Sequence, residues 1–146
     1  MEITKYRTEL VREAAFNYAG DNAADPDAVY DILKSVFNAP ARLEEHFWQV
    51  CIDTNGRCVG LFELATGTQT RCVADVAGLM RNALLTNAFG FIIAHNHPGG
   101  DPTPSRDDIS TTSRVKQASE IIGVRCYDHI VIGDQYYYSF NQAGLM

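Results

Sequence analysis

Apolar residues recur along the chain at two spacings, and the switching between them sketches a mixed α/β domain. Val29, Ile32, Leu33 and Val36 share one face of a 3.6-residue period. Asp25 precedes them as an N-cap and Pro26 takes the first helical position, so a helix starts there. The runs 47–53 and 56–62 read as strands flanking Thr54-Asn55-Gly56, an Asn-Gly hairpin signal. Residues 75–87 carry Val76, Leu79, Met80, Ala83 and Leu84 at helical spacing. The short, partly β-branched run 89–94 predicts a buried strand. Ser105 opens a further helix that runs to about Ile122 and is ended by Gly123. Residues 124–132 and 136–140 form a last hairpin around Gly133-Asp134-Gln135. Near the start, residues 2–13 alternate enough to predict a strand or edge segment, and 19–25 is a polar connector. The order predicts a mixed β-sheet flanked by helices, with a leader over 1–24 and a domain over 25–146. No internal repeat or low-complexity segment interrupts it.

Composition narrows the class without naming a function. At 146 residues the chain fits one domain with a sizeable core. Its hydrophobic content of 46% and charged content of 21% are those of an ordinary globular protein. No apolar run approaches a membrane span, and the start lacks a basic-then-apolar signal pattern. A cytoplasmic protein with no membrane partner is expected. Cys51, Cys58, Cys72 and Cys126 form no Cys-x-x-Cys knuckle and fall mostly in strand-like stretches, so buried free thiols are expected. The formal net charge of −6 does not favour a polyanion, since duplex affinity leans on clustered Lys and Arg.

The chemistry concentrates in one stretch. His95-Asn96-His97 closes the 89–94 strand, and side chains at i and i+2 on a strand share a face. Pro98, Gly99, Gly100, Pro102 and Pro104 forbid regular structure over the next several residues. Ser105 then stands three residues ahead of Asp108, as in a capping box, and puts Asp108 in a first helical turn. Two imidazoles and one carboxylate make a three-ligand set with an open coordination position, as catalytic zinc is usually held. A His-x-His pair alone is mostly structural, and Ser-x-x-Asp alone is simply a helix start. Their combination at this spacing is far more specific. The spacing favours Asp108 over its neighbour Asp107, and Asp101 lies within the loop.

This combination resembles the full motif of the JAMM/MPN metalloprotease superfamily. The stretch from His95 to Asp108 is similar to the signature loop of RadC-like proteins, as are Asp128-His129-Ile130-Val131-Ile132-Gly133 with Ser139 and Phe140, and Gly67-Thr68. The resemblance spans roughly residues 40–146, with a weaker pattern over 6–13. It implies the cytidine-deaminase-like MPN fold, a bound zinc ion, and His95, His97 and Asp108 as its ligands. A hydrolytic zinc site also needs a carboxylate base for the water whose pKa the metal lowers. Glu44, Glu45 and Glu63 are the upstream candidates, and in RadC-like chains a Glu two residues before the Phe of the central hairpin matches Glu45. A one-residue slip to Glu44 would reverse the face. The resemblance further implies that Ser105 donates to an oxyanion, besides capping its helix. His129 is expected to satisfy buried hydrogen bonds rather than bind metal, and His46 points to the other face from Glu45.

Two departures from the family pattern bear on substrate and partners. The helix-hairpin-helix module of many RadC-like proteins has no room here, so DNA contact through it is not expected. The usual Pro-Arg-Glu step is replaced by Val73-Ala74-Asp75-Val76-Ala77-Gly78, which removes an Arg from near the site. Three functions of different classes remain: a zinc metallopeptidase or isopeptidase acting on a protein or peptide, a non-catalytic MPN scaffold, and a DNA-repair accessory. A homo-oligomer stays open. The charge balance tests the third directly. Twelve Lys and Arg stand against eighteen Asp and Glu, and the densest basic trio, Arg106, Arg114 and Lys116, shares its helix with Asp107, Asp108 and Glu120. Duplex DNA should therefore bind weakly, with an affinity that falls little as salt is added. A titration giving submicromolar affinity at physiological salt, with a steep negative slope, contradicts this expectation.

Overall fold

In a computed structural model, which describes residues 1, 3–20, 22–66 and 74–146, one five-stranded sheet lies between helices on both faces. The helix α1 (Pro26–Phe37) is capped as the sequence predicts, with the Asp25 carboxylate accepting from the Asp27 amide at 3.1 Å. A short 3-10 turn, Ala39–Ala41, leads to the hairpin of β1 (His46–Ile52) and β2 (Cys58–Thr66). The helix α2 (Val76–Leu85), β3 (Gly90–Asn96), α3 (Arg106–Ile122), β4 (Arg125–Ile132) and β5 (Tyr137–Ser139) complete the chain. The strand order is β2-β1-β3-β4-β5, with β3 and β4 parallel and the other pairs antiparallel. A parallel pair needs a crossover connection, and α3 supplies it.

Strand parity sorts the core into two. Trp48, Val50 and Ile52 of β1, Ile92 and Ala94 of β3, and Ile130 and Ile132 of β4 pack with Val29, Ile32 and Leu33 of α1. Phe47, Cys51, Phe91 and Ile93 turn the other way, against Leu79, Met80 and Ala83 of α2 and Val115 of α3. With both faces covered, β1 and β3 are buried along their whole length. One irregularity resets parity in β4. Phe91 lies beside Cys126 but Ile92 lies beside Asp128, so Tyr127 is an extra residue, a β-bulge. Beyond it Ile93 pairs with His129, and the odd-numbered residues of β4 share the α2/α3 face with those of β3.

Several expectations need correction. The strand predicted over 2–13 does not form among the described residues: 3–18 have no regular structure and are exposed. Alternation supplies one apolar face, but a strand also needs a partner for its backbone groups, and none pairs there. The hairpin turn is organised by Asp53, whose Oδ1 accepts from the Asn55 and Arg57 amides at 2.8 and 2.9 Å. Only Gly56 in it takes a positive φ, +76°. Cys51 and Cys126 are buried free thiols as expected, whereas Cys58 is exposed. Burial pushes the Cys51 thiol up to about 11, too high for a thiolate at neutral pH. Gly67, Thr68, Cys72 and Val73 lie outside the described residues, and among the described residues no helix is long and apolar enough to cross a membrane.

The loop between β3 and α3 is seated on the turn between β4 and β5. The Asp134 amide donates to the Gly100 carbonyl at 3.1 Å, and Gly100 adopts φ +82°. A Cβ on Gly133 would meet the Gly100 carbonyl oxygen at 2.4 Å and Pro102 Cδ at 2.7 Å, so only glycine allows this seating. Gly133→Ala should cost about 1–3 kcal/mol in urea unfolding, the usual penalty of overpacking. Gly99→Ala, where an added Cβ meets nothing within 4 Å, should stay within about 0.5 kcal/mol of the parent. Equal effects at the two positions would contradict this account of the loop.

Candidate metal centre

His95 and His97 end β3, and Asp108 begins α3, so one βα connection brings all three side chains together. One ligand-type atom from each lies within 4.8 Å of the others. His95 Nε2 is 3.0 Å from Asp108 Oδ1, His97 Nε2 is 3.4 Å from Oδ2, and the two Nε2 atoms are 3.1 Å apart. Asp108 is held there by the helix start. Its Oδ2 accepts from the Ser105 amide at 2.6 Å, while Ser105 Oγ accepts from the Asp108 amide at 3.1 Å, a complete capping box. The carboxylate therefore turns back from the helix toward the strand.

The imidazoles are oriented from behind. A carbonyl oxygen can only accept, so His97 Nδ1 donates to the Asp101 carbonyl at 2.8 Å, leaving Nε2 to face Asp108. The His95 ring stacks on Phe47, its cross-strand neighbour, with centroids 5.9 Å apart. Hydrogen bonding to Asp108 raises the His97 pKa above its ordinary value against the opposing effect of burial, with the Asp101 carbonyl and the charges of Asp108 and Glu45 adding to it. Burial acts to raise the Asp108 carboxyl, but hydrogen bonds from His95, His97 and Ser105 outweigh it and hold it well below the carboxylate range. The cluster opens to one side: the His95 side chain is 1% exposed and that of His97 22%.

Two imidazole nitrogens and one carboxylate oxygen suit zinc, and the bond from His97 Nδ1 to the Asp101 carbonyl turns its Nε2 into the set. The chemistry of the donor set thus fits the metal that the sequence motif implies.

The remaining sequence candidates separate by face. Glu45 directly precedes β1, two residues before Phe47, and its charge reaches His97. Glu44 is exposed. Glu63 lies beside Trp48 in the hairpin register and is bound to His46 Nδ1 at 2.6 Å, with the His46 ring stacked on Trp48 toward α1. Ser105 is exposed at the helix start, and its hydroxyl oxygen accepts the capping bond while its O–H remains available to donate. Asp107 is exposed on the first turn of α3, and Asp101 Oδ1 is occupied by Thr103. His129 lies outside the three-donor set, with both ring nitrogens engaged by His95 and Thr112.

Sequence reasoning missed Asn96, the residue between the two histidines. Its side chain turns to the opposite face, where Oδ1 accepts from the His46 amide at 2.7 Å and Nδ2 donates to the Glu44 carbonyl at 3.0 Å. The amide thus clamps the backbone on either side of Glu45 to the histidine strand. The signal present in the sequence was a polar residue continuing the strand face on which Ile92 and Ala94 are apolar. Asn96→Ala should leave the buried His46 N–H without a partner and cost about 1–3 kcal/mol. The His46 amide should then exchange its hydrogen faster than in the parent, while the amides of α1 stay unchanged. Unaltered exchange at His46 would contradict the clamp.

Residues 23–145 match the family model of the RadC-like JAB domain. A UPF0758 protein of Carboxydothermus hydrogenoformans is 34% identical over 145 residues, 99% of this chain and 61% of that protein. One of Thermotoga maritima is 42% identical over 95 residues, 65% of this chain and 43% of that protein. Another, of Desulforudis audaxviator, is 39% identical over 101 residues, 69% and 44% of the two. The chain spans about half the length of the curated relatives it matches. The mixed sheet between helices agrees with the JAB/MPN architecture.

Proposed function

The chain belongs to the family of RadC-like JAB domains, and on that premise we propose that it is a zinc-dependent hydrolase of the metallopeptidase or isopeptidase type, acting on a protein or peptide. The observation that carries the reading is the meeting of His95, His97 and Asp108 within 4.8 Å at a place open on one side. His95 and His97 through Nε2, and Asp108 through a carboxylate oxygen, would hold the ion. Bound there, zinc supplies Lewis acidity, polarising a carbonyl and lowering the pKa of water toward neutrality. Among the described residues the set has three protein donors, which leaves room for substrate, and the exposed edge of His97 marks the side of approach.

Two further side chains complete the reading. Glu45 takes a proton from the attacking water and returns it to the leaving amine. It is suited to this because it stands on the His97 side of β1 with its backbone clamped by Asn96, whereas Glu63 is engaged by His46 on the other face. The Ser105 hydroxyl donates to the oxyanion as the carbonyl carbon becomes tetrahedral. Its position is fixed by the same capping box that holds Asp108.

Metal analysis of protein purified without chelator should find one zinc per chain, lost in the His95→Ala, His97→Ala double variant. Manganese or iron in its place would keep the site but change the metal. Glu45→Gln should retain the zinc and the fold while slowing cleavage of a peptide library by about a hundredfold or more. Metal content untouched by the double variant would overturn the ligand set. Normal cleavage by Glu45→Gln, with loss in Glu44→Gln or Glu63→Gln, would move the base.

A further inference from the structure

Behind His95 runs a line of buried hydrogen bonds whose proton positions can be worked out. Thr112 Oγ1 is 2.7 Å from the Asp108 carbonyl oxygen and 2.6 Å from His129 Nδ1. The carbonyl can only accept, so the hydroxyl proton goes to it. Oγ1 then accepts from the ring, which puts a proton on His129 Nδ1. A neutral ring protonated at Nδ1 has a bare Nε2, and that lone pair lies 2.9 Å from His95 Nδ1. His95 therefore donates from Nδ1, which leaves Nε2, the atom that faces Asp108 and His97, as the nitrogen a metal ion would take. The other solution is a doubly protonated His129. It would bury a cation at 0% exposure against Phe140, whose ring stacks on it at 4.9 Å, and beside Phe47.

We infer that His129 is a positioning residue for the metal centre, fixing His95 in the tautomer and ring plane that a metal ion requires. The inference rests on the reading of His95, His97 and Asp108 as ligands. The line starts at the backbone of Asp108 and ends on His95, so it ties two members of the set to each other through α3 and β4. Thr112 stands one helical turn after Asp108, which brings its hydroxyl to that carbonyl. The β-bulge at Tyr127 puts His129 on the face of His95; without it the ring would turn to the α1 side. Ligating histidines usually donate their second N–H to a carboxylate or a carbonyl. A neutral imidazole supplies the acceptor here without burying a second negative charge beside Asp108.

The test has two independent readouts. Long-range 1H–15N correlation on the metal-free protein reads the tautomers directly, and His129 should be protonated at Nδ1 with Nε2 bare. Zinc affinity is then measured by competition with a chromophoric chelator. His129→Leu should weaken it about 10–100-fold, the usual cost of removing such a partner. His129→Gln, whose Oε1 can accept from His95, should restore it to within a few fold of the parent. A His129 protonated at Nε2, or a His129→Leu affinity equal to the parent's, overturns the inference. Should His129→Leu fail to fold, Thr112→Val replaces it, and unchanged tautomers together with unchanged affinity there also overturn it. A parent that takes up no zinc overturns the metal reading instead, and the tautomer measurement still decides whether the line of hydrogen bonds exists.

Discussion

Asp108 is held at a helix start through Oδ2 while its two oxygens face a pair of imidazoles, and the rest of the site depends on that double use. The capping box fixes the carboxylate before any ligand arrives, because the Ser105 amide at 2.6 Å from Oδ2 leaves it one orientation. A carboxylate near a helix N-terminus also gains from the dipole, by about 0.3–1 kcal/mol at an ordinary surface site. Its closeness to two histidines would be costly in a flexible loop, since ordering the group would have to be offset by the contacts formed. Here the helix has already ordered it. Ser105 and Asp108 thus start the helix with the same bonds that turn the carboxylate toward the histidines.

The second constraint is parity. His95 belongs to the α2/α3 face because β3 runs without interruption from Gly90 to Asn96, and Phe47 meets it across the antiparallel pair with β1. Glu45 precedes Phe47 by two positions, and Asn96, turned the other way, fastens the backbone around it. His129 reaches the same face only through the extra residue in β4. Each element therefore contributes to the site by counting residues, and a shift of one position in any strand would send a side chain to the wrong layer. Buried strands with apolar packing on both faces resist such slips.

Much of this was legible in the sequence for local reasons. The N-cap at Asp25, the capping box at Ser105 and the Gly123 stop depend on residues a few positions apart, and all three appear where the sequence put them. His95 and His97 share a face by strand period alone. The choice of Glu45 over Glu44 as candidate base rests on the family pattern, because nothing local in the sequence distinguishes them. The bulge at Tyr127 and the clamp by Asn96 were not legible, since each is defined by a partner strand or segment far away in sequence. The 2–13 segment shows the converse failure, where a convincing local pattern finds no strand to pair with.

The central claim is that two imidazoles and one carboxylate, and no thiolate, form a metal centre at the β3–α3 junction. X-ray absorption at the zinc edge of the loaded protein tests it most directly. The account predicts nitrogen and oxygen neighbours only, at about 2.0–2.2 Å, with the outer scattering of two imidazole rings. A sulfur neighbour at about 2.3 Å would mean that cysteine holds the ion, and absence of the imidazole pattern would remove His95 and His97 from the site.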